Sequence, residues 1–135
     1  MKLVIIESPY AGDADAIAVN ESYARRAMAD ALRRGEAPYA SHLLYTQPGV
    51  LDDTVPDERS LGIAAGLAWG DRADATVVYS DLGMTIGMCE GVDRARAAGR
   101  RVIVRFMDGD TCSQCDGPMA MTDGIVEMCP NGCED

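Results

Sequence analysis

The sequence predicts an α/β fold in which a small parallel sheet lies between flanking helices in three layers. Three observations carry this. Short apolar runs of strand length alternate with amphipathic segments of helix length. The run at residues 75–79, Ala-Thr-Val-Val-Tyr, is β-branched and almost wholly apolar, as a strand buried on both faces should be. That run ends in Asp81 and Gly83 and opens a helix, the hand-over that winds a parallel sheet through right-handed crossovers.

The elements follow in order. Residues 2–6 form a short apolar strand that runs into the turn-rich segment Glu7-Ser8-Pro9-Tyr10-Ala11-Gly12-Asp13. A helix continues to Arg34, with Tyr23, Ala24, Ala27, Met28 and Ala31 on one side. It begins between Asp13 and Asn20, either of which suits an N-cap, and Gly35 suits the position just past its end. Residues 38–45 are expected as the second strand. Residues 46–55, with Pro48-Gly49 and Asp52-Asp53, make a loop long enough to be a binding loop or lid. Pro56 fits the first helical position, and Asp57 and Glu58 suit the positive end of the helix dipole. That helix closes near Trp69 and Gly70. The strand at 75–79, a helix at 85–98 and a strand at 101–105 complete a Rossmann- or flavodoxin-like domain spanning residues 1–108.

Hydrophobic residues make up 47% of the chain but aromatics only 5%, so the core must rest on Ala, Val, Leu, Ile and Met. The net charge of −10 argues against a nucleic-acid partner, because phosphate binding needs a basic surface. The excess is uneven. Residues 108–135 carry Asp108, Asp110, Asp116, Asp123, Glu127, Glu134 and Asp135 and no base at all. The apolar run Leu3-Val4-Ile5-Ile6 is too short for a signal core and is followed at once by Glu7, and no run approaches membrane-spanning length. The expectation is a cytoplasmic protein without a membrane partner.

Residues 109–135 carry two close cysteine pairs, Cys112 with Cys115 and Cys129 with Cys133, separated by a hairpin-length spacer. Turn residues Asp116-Gly117-Pro118 and Pro130-Asn131-Gly132 accompany them. This pattern predicts a zinc ribbon appended to the main domain. Four thiolates close the coordination sphere, so the zinc would be structural and would hold together a segment poor in apolar groups. Cys89 stands apart, in the third helix, and is expected as a packed thiol.

Two loops should meet at one end of the sheet: Glu7-Ser8-Pro9-Tyr10 and Asp81-Leu82-Gly83-Met84-Thr85. Ligands of parallel α/β sheets bind beyond the carboxyl ends of the strands, beside helix N-termini. A first strand ending in a small-residue turn with Pro, and a later strand followed by Asp-x-Gly and Thr, resemble the nucleoside deoxyribosyltransferase superfamily over residues 2–106. The stretch from Arg34 to Asp53 looks more closely like an uncharacterised family common in phage and actinobacterial genomes, which would place a phage-encoded protein in the host cytoplasm.

The transferase resemblance implies a nucleoside ligand, frequent homo-oligomers, and a catalytic Glu six residues beyond the motif's Asp, attacking the anomeric carbon. Six beyond Asp81 is Gly87; counted back from the helix end at Gly99, the position is Gly91. Both are glycines. The carboxylates left as catalytic candidates are Asp81, Glu7 and Glu90. Asp81 is the leading candidate to contact a ligand hydroxyl or base. Candidate binding residues are Ser8, Pro9, Tyr10 (to stack on a base), Arg26 (to reach a phosphate), His42, Gly83, Met84, Thr85 and Gly87. Gly83, Gly87 and Gly91 fit either close approach of a ligand to the backbone or close packing of helix on sheet. At Gly62 and Gly66 the reading is packing alone.

Three functions fit this sequence. One is cleavage or transfer at the N-glycosidic bond of a nucleoside or nucleotide. The second is nucleotide binding without turnover, favoured by glycine where the nucleophile belongs. The third is a protein-interaction module that uses the acidic ribbon.

Overall fold

The structure is a computed structural model that describes residues 1–107 and the backbone of two short strands beyond them. The main-domain elements are β1 (Lys2–Glu7), α1 (Ala14–Arg33), β2 (Glu36–Tyr39), α2 (Ser41–Leu44), α3 (Pro56–Gly70), β3 (Ala75–Tyr79), α4 (Ile86–Ala97) and β4 (Arg101–Arg105). The four strands form one parallel sheet in the order β2-β1-β3-β4. The two further strands, β5 (Ala120–Thr122) and β6 (Ile125–Met128), pair antiparallel. Cys112, Cys115, Cys129 and Cys133, on which the zinc ribbon rests, lie outside the described residues.

Side-chain alternation along the strands builds the three layers. Val4, Ile6, Val77, Tyr79 and Ile103 face the Tyr23, Ala27 and Ala31 side of α1. Val78 turns to the other face and packs with Met88 and Val92 of α4, between Val102 and Val104. The same parity decides where Glu7 goes. Since Ile6 points toward α1, its neighbour points toward α4.

Capping sets the helix starts. Asp13, rather than Asn20, opens α1, its Oδ1 accepting from Ala16 N at 2.8 Å. Thr85 opens α4 by accepting from Met88 N at 3.2 Å. Gly35 adopts φ +81° just past α1, a conformation that glycine takes without strain. Gly62 and Gly66 serve packing: a Cβ at Gly66 would stand 3.0 Å from Ser41 Oγ, and one at Gly62 would stand 3.3 Å from Leu51 Cδ1.

Two expectations are corrected. The second strand covers Glu36–Tyr39 and not residues 38–45, because a helical turn begins at Ser41. Pro38 is accommodated because β2 is an edge strand. Cys89 is exposed rather than packed, since the buried side of α4 is formed by Met88, Val92 and Ala95. Among the described residues, no helix is long and apolar enough to cross a membrane.

Candidate functional site

In the order β2-β1-β3-β4 the chain leaves β1 toward one side of the sheet and returns on the other. The carboxyl ends of β1 and β3 therefore flank the switch point where a crevice forms. A cavity of about 380 Å³ opens beside the end of β1. Its floor is Glu7 and Ser8, and its walls include Tyr10, His42, Thr85, Gly87 and Glu90. The loop at residues 46–55 closes one side with Thr46, Leu51 and Asp53, joined by Glu58 and Arg59 from the start of α3. A second cavity, of about 690 Å³, lies across that loop and shares Tyr10, Asp53 and Arg59. The loop expected as a binding loop or lid thus lines both cavities.

Glu7 is one of the carboxylates that line the cavity. Burial pushes its carboxyl from 4.5 up to about 7, although Arg94 and Arg100 pull it the other way. Its side chain lies against α4 at Gly91. Beside it, Ser8 Oγ and His42 Nε2 are 2.6 Å apart. The sequence separates these two residues widely, but β1 and β2 are neighbours, so their carboxyl ends adjoin. Burial lowers the His42 pKa to about 4 and keeps its ring neutral at ordinary pH. His42 also meets Tyr10 edge-on, with ring centroids 6.4 Å apart. The proton-carrying group near neutrality is therefore the carboxyl, and the imidazole is a fixed hydrogen-bonding partner.

Asp81 is elsewhere. Its Oδ2 accepts from the Tyr23 hydroxyl at 2.5 Å and from Met107 N at 2.9 Å, while Asp81 N donates back to the Tyr23 oxygen at 3.0 Å. The acid is held between α1 and the segment after β4, and it does not line the cavity. Burial, followed by the hydrogen bond to Asp81, drives the Tyr23 hydroxyl far above the usual phenol range. Arg26 lies in a separate groove with Ser22, Tyr23 and Leu82. Pro9 is buried, and Gly83 and Met84 are exposed; none of the three lines the cavity. Gly83 serves the turn, at φ +91°. The residues missed in the sequence are Ser41, Tyr45, Asp53, Glu58 and Arg59. Their one signal was the long loop and the acidic helix start beside it.

Asp81→Ala is expected to lower stability by about 2 kcal/mol, because the Tyr23 hydroxyl and the Met107 amide lose their shared acceptor. Urea unfolding measures this; an unchanged midpoint would contradict the clamp role.

The pH dependence of stability follows from two opposed groups. Glu7 binds its proton more tightly folded than unfolded, so its contribution is full below pH 4.5 and is lost as pH rises through about 7. His42 binds its proton less tightly folded, so its contribution is present above pH 6.5 and is lost as pH falls through about 4. Each span corresponds to roughly 3 kcal/mol. The two oppose each other between pH 4.5 and 6.5. Removing Glu7 as Glu7→Gln should unmask the His42 loss on acidification, read from unfolding curves at stepped pH. Identical pH profiles for the two proteins would disprove this.

Among the described residues, no cluster of three His, Cys, Asp or Glu side chains is arranged to hold a metal ion.

The fold is similar to that of a 2-deoxyribosyltransferase from the psychrotolerant bacterium Bacillus psychrosaccharolyticus. That match has a TM-score of 0.56 at 16% identity and covers 87% of this chain and 83% of that one. It is also similar to a 2-deoxyribosyltransferase from Leishmania mexicana, with a TM-score of 0.52 at 15% identity, covering 93% of this chain and 77% of that one. These likenesses establish the α/β fold with its small parallel sheet. No curated protein matches the chain. A family model matches residues 2–105, and the chain belongs to that family, described as a domain of unknown function (DUF7768).

Proposed function

We propose that the cavity binds a nucleoside and that Glu7 acts on its N-glycosidic bond, in hydrolysis or in transfer to a second base. The observation that carries this is an enclosed carboxyl at the end of β1, with its pKa brought to about 7, beside the Ser8–His42 pair and the Tyr10 ring. The likeness to 2-deoxyribosyltransferases supports the reading, and the Bacillus enzyme is described as a biocatalyst for nucleoside synthesis.

The chemistry suits a carboxylate. As the C1′–N bond breaks, its electron pair leaves with the base, which takes up a proton. The sugar carbon left behind is cationic, and an ionised Glu7 can stabilise it or bond to it as an ester. Water or a second base then attacks C1′, gives up the proton that balances the one taken by the first base, and frees the carboxylate. Tyr10 offers a ring edge or face to the base, and Ser8 with His42 offers hydrogen bonds to sugar hydroxyls. Glu90, carried by α4, is a further carboxylate that lines the cavity.

Charge favours a nucleoside over a nucleotide. The ionisable lining residues besides His42 and the tyrosines are Glu7, Asp53, Glu58, Glu90 and Arg59, and Arg59 is bridged to Asp53 at 2.8 Å. An acidic cleft repels a phosphate.

The test is incubation with deoxynucleosides, ribonucleosides, 5′-nucleotides and NAD, with released base followed by chromatography. Release from nucleosides, and little from nucleotides, is the expected result. Thermal stabilisation by a nucleoside without release would leave a binding protein. Neither release nor stabilisation would sink the reading. The cysteine quartet is further proposed to hold one structural zinc, supported by its spacing. Metal analysis of the purified protein should find one equivalent.

A further inference from the structure

Gly91 and Glu7 make an unusual contact. A Cβ built on Gly91 would stand 2.2 Å from Glu7 Oε1, 2.4 Å from its Cδ and 2.9 Å from its Oε2. All three atoms belong to one carboxyl group. Gly87, one turn earlier, is different: a Cβ there would meet only Thr85 Oγ1, at 3.9 Å. Gly87 borders open cavity, whereas the place of a Gly91 side chain is already taken.

Gly91 lies next to Val92 on the sheet-facing side of α4, one turn from Met88 and Ala95, which are all buried. An apolar side chain would be the ordinary choice at such a position, and glycine is a poor helix former. A carboxyl resists burial. Two locally unfavourable choices therefore meet at one point, the pattern expected where function overrides stability. Arg94, one turn beyond Gly91, and Arg100 supply the positive charge that partly offsets the burial of the carboxylate.

We propose that Gly91 is the positioning residue of this site: its bare Cα leaves the slot that seats the Glu7 carboxylate, so that the acid acting on the sugar is carried by strand β1 and held by helix α4. This rests on the nucleoside reading for its chemical meaning. The seating itself is testable without turnover.

The experiment is Gly91→Ala. The atoms in the way are the far end of a flexible side chain, and alanine favours the helix, so the fold should survive while the carboxylate is displaced. The titration midpoint of the Glu7 side-chain carboxyl, followed by carbon-13 NMR, should move from about 7 toward 4.5. Base release should fall by about a hundredfold, mainly in kcat. In a Glu7→Gln background, Gly91→Ala should cause no further loss, because the two changes act through one group. An unmoved midpoint with intact release would overturn the proposal. If Gly91→Ala fails to fold, the Glu7→Ala/Gly91→Ala double variant decides. Recovered folding shows that the carboxyl was the obstacle, and continued failure assigns Gly91 to backbone packing and overturns the proposal. A moved midpoint in a protein that releases no base would refute the nucleoside chemistry and leave the seating standing.

Discussion

Glu7→Gln should reduce base release about a thousandfold while making the protein more stable above pH 7. Glutamine keeps the shape of the side chain but can neither stabilise a cationic anomeric carbon nor bond to it. The stability gain has a separate cause. Above pH 7 the native protein must hold an ionised carboxylate in a largely desolvated place, which the neutral amide avoids. The raised pKa also sets the pH profile. If Glu7 acts as the carboxylate, kcat/KM should climb about tenfold per unit below pH 7 and level off above it. The lowered pKa of His42 keeps that residue neutral throughout this range, so it adds no second limb near neutrality. A rate that falls above pH 7 would show Glu7 working instead as a proton donor. Activity retained in Glu7→Gln would remove it from the chemistry.

Glu36→Ala should cost about 3–5 kcal/mol of stability, the largest loss expected from a single side chain outside the cavity. Arg105 is buried, with a side chain only 5% exposed, and its Nη1 and Nη2 each donate to a Glu36 carboxylate oxygen at 2.6 Å. Nη1 also donates to the Tyr79 hydroxyl at 3.2 Å, which donates in turn to Asp30 Oδ2 at 2.8 Å. Removing Glu36 strands a buried guanidinium without its counter-charge. Exchanging both partners for apolar residues, as in Glu36→Leu/Arg105→Met, should recover most of the loss. Urea unfolding reads both effects. Base release per folded molecule should be unchanged in Glu36→Ala, because the pair lies away from the cavity. A loss below about 1 kcal/mol would mean that Arg105 finds other partners or reaches solvent.

The strands β1, β3 and β4 were legible because each carries a short β-branched apolar run, a property of the local sequence that is strongest in β3, which is buried along its whole length. The Pro56 start of α3 and the Gly35 end of α1 were legible because they are backbone chemistry. The end of β2 was not. Residues from Tyr39 to Tyr45 are apolar enough for either a strand or a helical turn, and what separates them is the packing of Ser41 against Gly66. Cys89 was misjudged because helical periodicity leaves the phase of α4 open until Met88 and Val92 meet the sheet.

The site divides in the same way. The residue types were present in the sequence: an acid and a serine after β1, a single histidine after β2, and glycines in α4 where the resemblance led one to expect an acid. Their roles were not. Asp81 stands in the motif that points to chemistry, but its partner Tyr23 lies 58 residues away, and only the folded chain shows the two joined. Glu7 was one of three candidate carboxylates until burial raised its pKa, and Gly91 was one of two glycines at the expected place of an acid until the Glu7 carboxyl was found against it. The sequence by itself determined the alternation of strands and helices, the candidate caps, the acidic charge and the set of groups able to react, because all of these follow from local chemistry. Only the tertiary structure decided which carboxylate faces the cavity and which is a clamp, because burial and contact between distant residues do not exist until the chain has folded.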